Sequence, residues 1–321
     1  MILRTALDRL DAATTGSRAA PTRVGFFLAV LPAFLAAFFV AGCDGLGSSG
    51  APPAVVLEAY YISGENLGAV RLSRTASIDD VYDLQTLAVR DAAVRVELFA
   101  SDGSVEEVFD YEYAYGSVYQ ATDGDAVAQP GSTYRVIAEL ADGEVVSAET
   151  TVPGAFEIRR ISATSVEYQS AEQLEFDVTR SFVAGRQAIF VFSTEAGDPR
   201  AEMLTPLYAE IVGDDIEQVR ITESPPVNEE NYDVNGDGTL TIRLPWLAVA
   251  FYGPNEVIAS SIDDNLYDFL RSQFVQQGGS TFAPGEIPNV IEHVEGGTGI
   301  FGSLSRVSAQ VEIRRETDGD P

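Results

Sequence analysis

The sequence predicts a mainly β protein: an N-terminal immunoglobulin-like β-sandwich followed by a second β-sandwich-like domain with one packed helix. Three observations predict it. Short runs rich in β-branched and aromatic residues recur along the chain, and turn residues separate them at the spacing of all-β folds. Only one segment, beginning at Asp263, spaces its apolar residues by three and four.

In the first half, residues 55–62 (VVLEAYYI) and 69–75 (AVRLSRT) flank a turn-rich 63–68 and read as a hairpin. After a longer connection, 76–90, the stretch 92–100 places Val94, Val96 and Leu98 on one face and Arg95, Glu97 and Phe99 on the other. Ser101-Asp102-Gly103-Ser104 turns it into a strand over 105–115. Strands at 117–121, 134–140 and 145–152 bring the total to the seven of an immunoglobulin-like domain, set at 55–153. Pro153-Gly154 marks its end. The inter-sheet cysteines of antibody domains are absent, so the expectation concerns architecture alone.

The second domain, 154–315, stays β-rich through 156–166, 174–180, 188–193, 217–222, 239–244 and 257–261. Its helix is placed at 263–277. Asp263 can cap it, Ile262, Leu266, Phe269, Leu270 and Phe274 form one apolar stripe, and Gly278-Gly279 ends it. A closing strand is expected over 305–315, before an acidic tail at 316–321.

Charge and rare residues narrow function. The chain has 20 basic residues, all Arg, against 49 acidic ones, a formal net charge of −29. Phosphate binding needs a basic footprint, so nucleic acid is excluded as a partner, and a carboxylate-rich surface of this kind suits high salt. Cys43 is the only cysteine and His293 the only histidine, which removes disulfides, zinc clusters and nearly every Ser-His-Asp or Cys-His arrangement. His293, between Glu292 and Val294 on an expected strand, reads as structural.

Residues 24–40 form an apolar run behind Arg18 and Arg23, and the sequence then reads Ala41-Gly42-Cys43. The stretch resembles a bacterial lipoprotein signal, which implies cleavage of residues 1–42 and lipidation of Cys43. Residues 43–54 would be a flexible tether. Asp8 and Asp11 are unusual in the positive region of such a signal and point to a start codon further downstream. A second resemblance rests on the order of Leu72-Ser73-Arg74-Thr75, the 93–98 strand, Gly131-Ser132-Thr133-Tyr134-Arg135, Asp142-Gly143 and the glycine-rich 294–302. These are similar to an uncharacterised family of Bacteroidota-type outer-membrane lipoproteins, often encoded beside TonB-dependent receptors. The resemblance implies an outer-membrane location, with the cell surface favoured and the leaflet open, and a TonB-dependent receptor as partner; it brings no catalytic residue.

Three motifs have a chemical reading. In DVNGDGTLT (233–241), Asp233, Asn235, Asp237 and Thr239 stand where a calcium loop places oxygen ligands, with Gly238 at the sixth position for the turn. Position twelve is Leu244 rather than Glu, so an Asn-Gly, Asp-Gly hairpin tip is the favoured reading. Tyr111, Tyr113 and Tyr115 share one strand face, either as a ligand platform or as cross-strand packing. Residues 297–302 match G-x-G-x-x-G, but a strand follows where a dinucleotide site needs a helix, so these glycines are expected to form a bulge or turn from which Phe301 plugs the core. The expectation is a non-enzymatic accessory protein of a TonB-dependent transport system. A calcium-assisted carbohydrate or peptide binding module is the alternative, and a carboxylate-based hydrolase ranks last.

Overall fold

The computed structural model describes residues 53–76, 82–182, 185–213, 215–274 and 290–315. The signal segment, Cys43, nearly all of the tether and the acidic tail lie outside them. Among the described residues no helix is long and apolar enough to cross a membrane.

The first half contains β1 (Val55–Ile62), β2 (Val70–Arg74), the single-turn α1 (Leu84–Leu87), β3 (Ala93–Phe99), β4 (Val105–Tyr115), β5 (Val118–Ala121), β6 (Thr133–Glu139) and β7 (Val145–Thr151). Neighbours run β1-β2-β5-β4-β3-β6-β7. Strand β4 pairs with β3 up to Tyr111 and with β5 from Tyr111 onward, so it crosses from one layer of a sandwich to the other. The inward positions of these strands make one core, in which Tyr61 meets Tyr134 and Phe301 edge to face at 5.2 and 5.0 Å. Phe301 therefore plugs the core as expected.

The second half contains β8 (Ile158–Ile161), β9 (Ser165–Glu167), β10 (Glu175–Val178), β11 (Ile189–Ala196), α2 (Pro206–Ile211), β12 (Ile221–Glu223), β13 (Val227–Asn228), β14 (Asp233–Val234), β15 (Leu240–Arg243), β16 (Gly253–Ile262), α3 (Asp264–Phe274), β17 (Val294–Glu295) and β18 (Thr298–Arg314). A small sheet, β14-β15-β10-β8, faces β12-β11-β16-β18 across a second core that includes Phe156, Phe176, Phe190, Leu240 and Val311. The expected cap on α3 is present: Leu266 N donates to Asp263 Oδ1 at 2.9 Å. Ile262, Leu266 and Leu270 bury against Tyr60, Ile300 and Leu304, Phe269 is partly buried there, and the Phe274 side chain and residues 275–277 lie outside the described residues.

Three expectations change. The 156–166 run divides into β8 and β9, and 217–222 is a 3-10 turn (Ile216–Val219) followed by the short β12. The closing strand is the largest difference. It starts at Thr298, not 305, and belongs to both halves: Val56 to Ile62 pair with Thr298 to Leu304 in parallel, and Ile262 back to Gly253 pair with Leu304 to Ile313 antiparallel. Its inward residues change chemistry along its length, from Phe301 in the first core through Ser303 and Ser305 to Val307, Ala309, Val311 and Ile313 in the second.

The glycines that suggest a turn are what let this strand lie so close. Gly299 has φ +119°, and a Cβ there would stand 2.1 Å from Leu57 O; a Cβ on Gly302 would stand 2.6 Å from Leu266 Cγ. Gly299→Ala should therefore lower the unfolding free energy by about 3 kcal/mol or more. Gly236→Ala, in open space at a hairpin tip, should change it by less than about 0.5 kcal/mol. Urea titration of both variants checks the contrast.

Candidate functional site

Where β7 meets β18 and the start of α3, the junction of the two halves is polar, beside the apolar cluster that buries α3. Thr150 on β7 donates to Asp263 Oδ2 at 2.5 Å and accepts from the Ser303 hydroxyl at 2.6 Å, while Asp263 N donates to Ser303 O at 3.0 Å. One carboxylate thus ties together β7, β18 and the start of α3. Asn265 spans the same seam, its amide donating to Glu149 O at 2.5 Å and Phe301 O at 2.7 Å. Arg186 closes one side through Asp264 (2.5 Å) and Ile262 O (2.9 Å).

Two depressions open along this seam and share Glu149 and Asn265. The smaller, about 160 Å³, lies over Asp263 between Thr133, Thr151 and Arg186. The larger, about 500 Å³, is lined by Arg135, Ser147, Asn265, His293 and Glu295 among others. Several of its charged groups have partners: Arg135 meets Glu149, His293 Nε2 lies 3.0 Å from Asp268, and Glu292 accepts from the Thr298 hydroxyl at 2.5 Å. Such a lining offers donors and acceptors to a polar ligand at a junction of domains, a common place for binding sites. His293 lines this cleft with its side chain 41% exposed.

The tyrosines separate. Tyr111 is 5% exposed, its hydroxyl 2.8 Å from that of Tyr61 and donating to Gly68 O at 3.0 Å, whereas Tyr113 and Tyr115 are 42% and 58% exposed. Tyr111 thus belongs to the core, in line with the packing reading, and only Tyr113 and Tyr115 remain for a platform. The cause is the passage of β4 between layers, with a bulge between Tyr113 and Tyr115. Tyr113 still packs edge to face on Tyr119 at 5.8 Å.

The 233–241 segment forms the β14–β15 hairpin tip. Asp233 is paired with Arg243 at 2.8 Å, the Asn235 amide donates to Thr239 and Thr241 at 3.0 and 2.9 Å, and Asp237 accepts from the amide and hydroxyl of Thr239. Those bonds to Thr239 hold the Asp237 carboxyl below its ordinary range. Among the described residues, no group of three or more His, Cys, Asp or Glu side chains is placed to hold a metal ion. Neither α1 and α2 nor the seam cluster was evident in the sequence; only Asp263, as a helix cap, pointed toward the seam.

The family model described as "Domain of unknown function (DUF4249)" matches residues 46–310. The chain belongs to this family. Its resemblance to surface lipoproteins thus meets a family defined without a function. A comparison with curated proteins finds no match. Among solved structures, the chain is similar to a tetra-tandem repeat from the extending region of a large adhesion protein, at 12% identity and TM-score 0.25, covering 82% of this chain and 49% of that one. It is also similar to Salmonella alpha-2-macroglobulin reacted with methylamine (12% identity, TM-score 0.23, 82% and 15% covered). The elastase-activated Escherichia coli alpha-2-macroglobulin gives 9% identity and TM-score 0.22, with 82% and 20% covered. The chain spans half or less of each of these proteins, and scores this low carry no argument about function.

Two predictions follow from the seam and the hairpin. Burial pushes the Asp263 carboxyl up to about 6, although the Thr150 hydroxyl, the Leu266 amide and the Arg186 charge all favour the ionised form. With the folded value above the ordinary 3.8, the stabilising contribution is complete below about pH 4 and is lost as pH rises through about 6. Asp263→Asn removes it, so on going from about pH 4 to neutral pH the wild-type protein should lose about 3 kcal/mol relative to the variant in urea titrations. At the hairpin, calcium would have to displace Arg243 from Asp233. Melting temperatures with millimolar calcium and with chelator should coincide, and a calcium-dependent rise would show that the pair yields.

Proposed function

We propose that this protein is a non-enzymatic binding protein, anchored in the outer membrane through lipid on Cys43, that acts as an accessory to a TonB-dependent transport system, favouring the cell surface. The observation that carries the binding reading is the seam itself: two sandwiches joined by one continuous strand, with a polar cleft of about 500 Å³ at the joint. The cleft is lined by β6, β7, the start of α3 and residues 292–295, and Asn265 bonds α3 to Glu149 O on β7 and Phe301 O on the shared strand; a prearranged cleft of this kind loses less entropy when a ligand enters. The non-enzymatic reading draws its support from the sequence, which has one cysteine and one histidine and so lacks most nucleophile–base arrangements. The receptor as partner, the lipid anchor and the surface location rest on the sequence resemblances.

A second reading is a surface module for carbohydrate or peptide, assisted by calcium. The exposure of Tyr113 and Tyr115 near the end of strand β4 favours its aromatic part, since such rings give a ligand a broad apolar contact.

Crosslinking of the native protein in intact cells, read by mass spectrometry alongside protease shaving, tests the leading reading. The expected result is a surface-accessible protein crosslinked to a TonB-dependent receptor. A shaved protein with no receptor adduct would sink the accessory role and turn attention to glycan and peptide arrays.

A further inference from the structure

The face of the second half formed by α2 and the 3-10 turn at Trp246–Ala248 exposes aliphatic side chains that the fold has no internal use for. Leu247 is 66% exposed, Ile211 65% and Leu207 37%. Leu207 and Ile211 are four residues apart and so lie on one side of the helix, and Tyr208 between them donates its hydroxyl to Leu247 O at 2.7 Å, bringing the third alongside. A helix of six residues does not persist by itself. This one is pinned: buried Thr205 directs its hydroxyl to Val249 O and Ala250 O at 3.0 and 3.2 Å and accepts from Ala209 N at 2.9 Å. The fold therefore holds in place a helix whose apolar residues face water.

We infer that this face is a docking surface for a protein partner presenting apolar side chains within a basic rim. Charge selects that partner. Arg200 beside the helix is shared between Asp198 and Glu202, Glu210 on the helix adds another carboxylate, and Arg315 is laid over the Tyr252 ring at 4.8 Å. A second copy, with the same net charge of −29, and an anionic bilayer would both be repelled. Position agrees. The chain joins the fold at Val55, near Thr298, whereas Arg315, just past the far end of β18, donates to Glu202 O beside this face. Seventeen residues of strand place the two ends about 50 Å apart.

This inference rests on the binding reading above but not on the receptor's identity. A photo-crosslinking phenylalanine placed at Ile211 or at Leu247 of the full lipidated chain in cells tests it, with the same probe at Tyr113 for comparison. The expected result is one protein adduct from both positions, mapped to a segment with apolar residues flanked by Lys or Arg. Adding Leu247→Glu to the Ile211 probe should cut its yield at least tenfold with an unchanged melting temperature, and Leu247→Ser should cut it less. An adduct with a second copy or with lipid, no adduct, or a yield indifferent to Leu247→Glu would overturn the inference. A receptor captured only from Tyr113 would overturn it while leaving the receptor reading intact. A basic-rimmed partner that is not a receptor would do the reverse.

Discussion

The double ladder of β18 is the constraint on which the rest of the molecule depends. Leu304 is the point of exchange, paired with Ile62 on one side and Ile262 on the other. Because the strand joins the two halves into one continuous sheet, neither half can rotate against the other without breaking hydrogen bonds along it. Gly299 and Gly302 make the strand's approach to β1 and α3 feasible, since any Cβ there would meet a backbone oxygen or Leu266.

A strand that passes between two cores has to change its inward chemistry, and here it does so through Ser303 and Ser305, with Ser261 opposite Ser305. A polar band at that point leaves backbone and hydroxyl groups needing partners. Asp263 and Asn265, the first residues of a helix, supply several of them. The helix start is therefore both a cap and the clasp of the seam, which explains why a carboxylate is retained where burial raises its proton affinity.

Legibility in the sequence followed the range of the interactions. Strands β1, β3, β4, β6 and β7 were readable within a residue or so at either end, since alternation and turn chemistry are local. Helix α3 was readable from its stripe and cap. Short helices such as α2 were not, because a single turn is stabilised by Thr205 and Tyr208 bonding to residues about forty positions away. The three tyrosines looked equivalent because strand alternation says nothing of a strand that leaves one layer for another. The start of β18 was hidden for a similar reason: glycines mark turns and close approaches alike.

By itself, then, the sequence determined the class of fold, the seven strands of the first half and the capped helix. All are properties of composition or of neighbours along the chain. Only the tertiary structure decided that the two halves share a strand, that Tyr111 belongs to a core, and that Asp233 is occupied by Arg243. It also decided that Leu207, Ile211 and Leu247 meet at one surface. Those outcomes depend on which segments far apart in sequence come to lie side by side, and burial and pairing take effect only once they do.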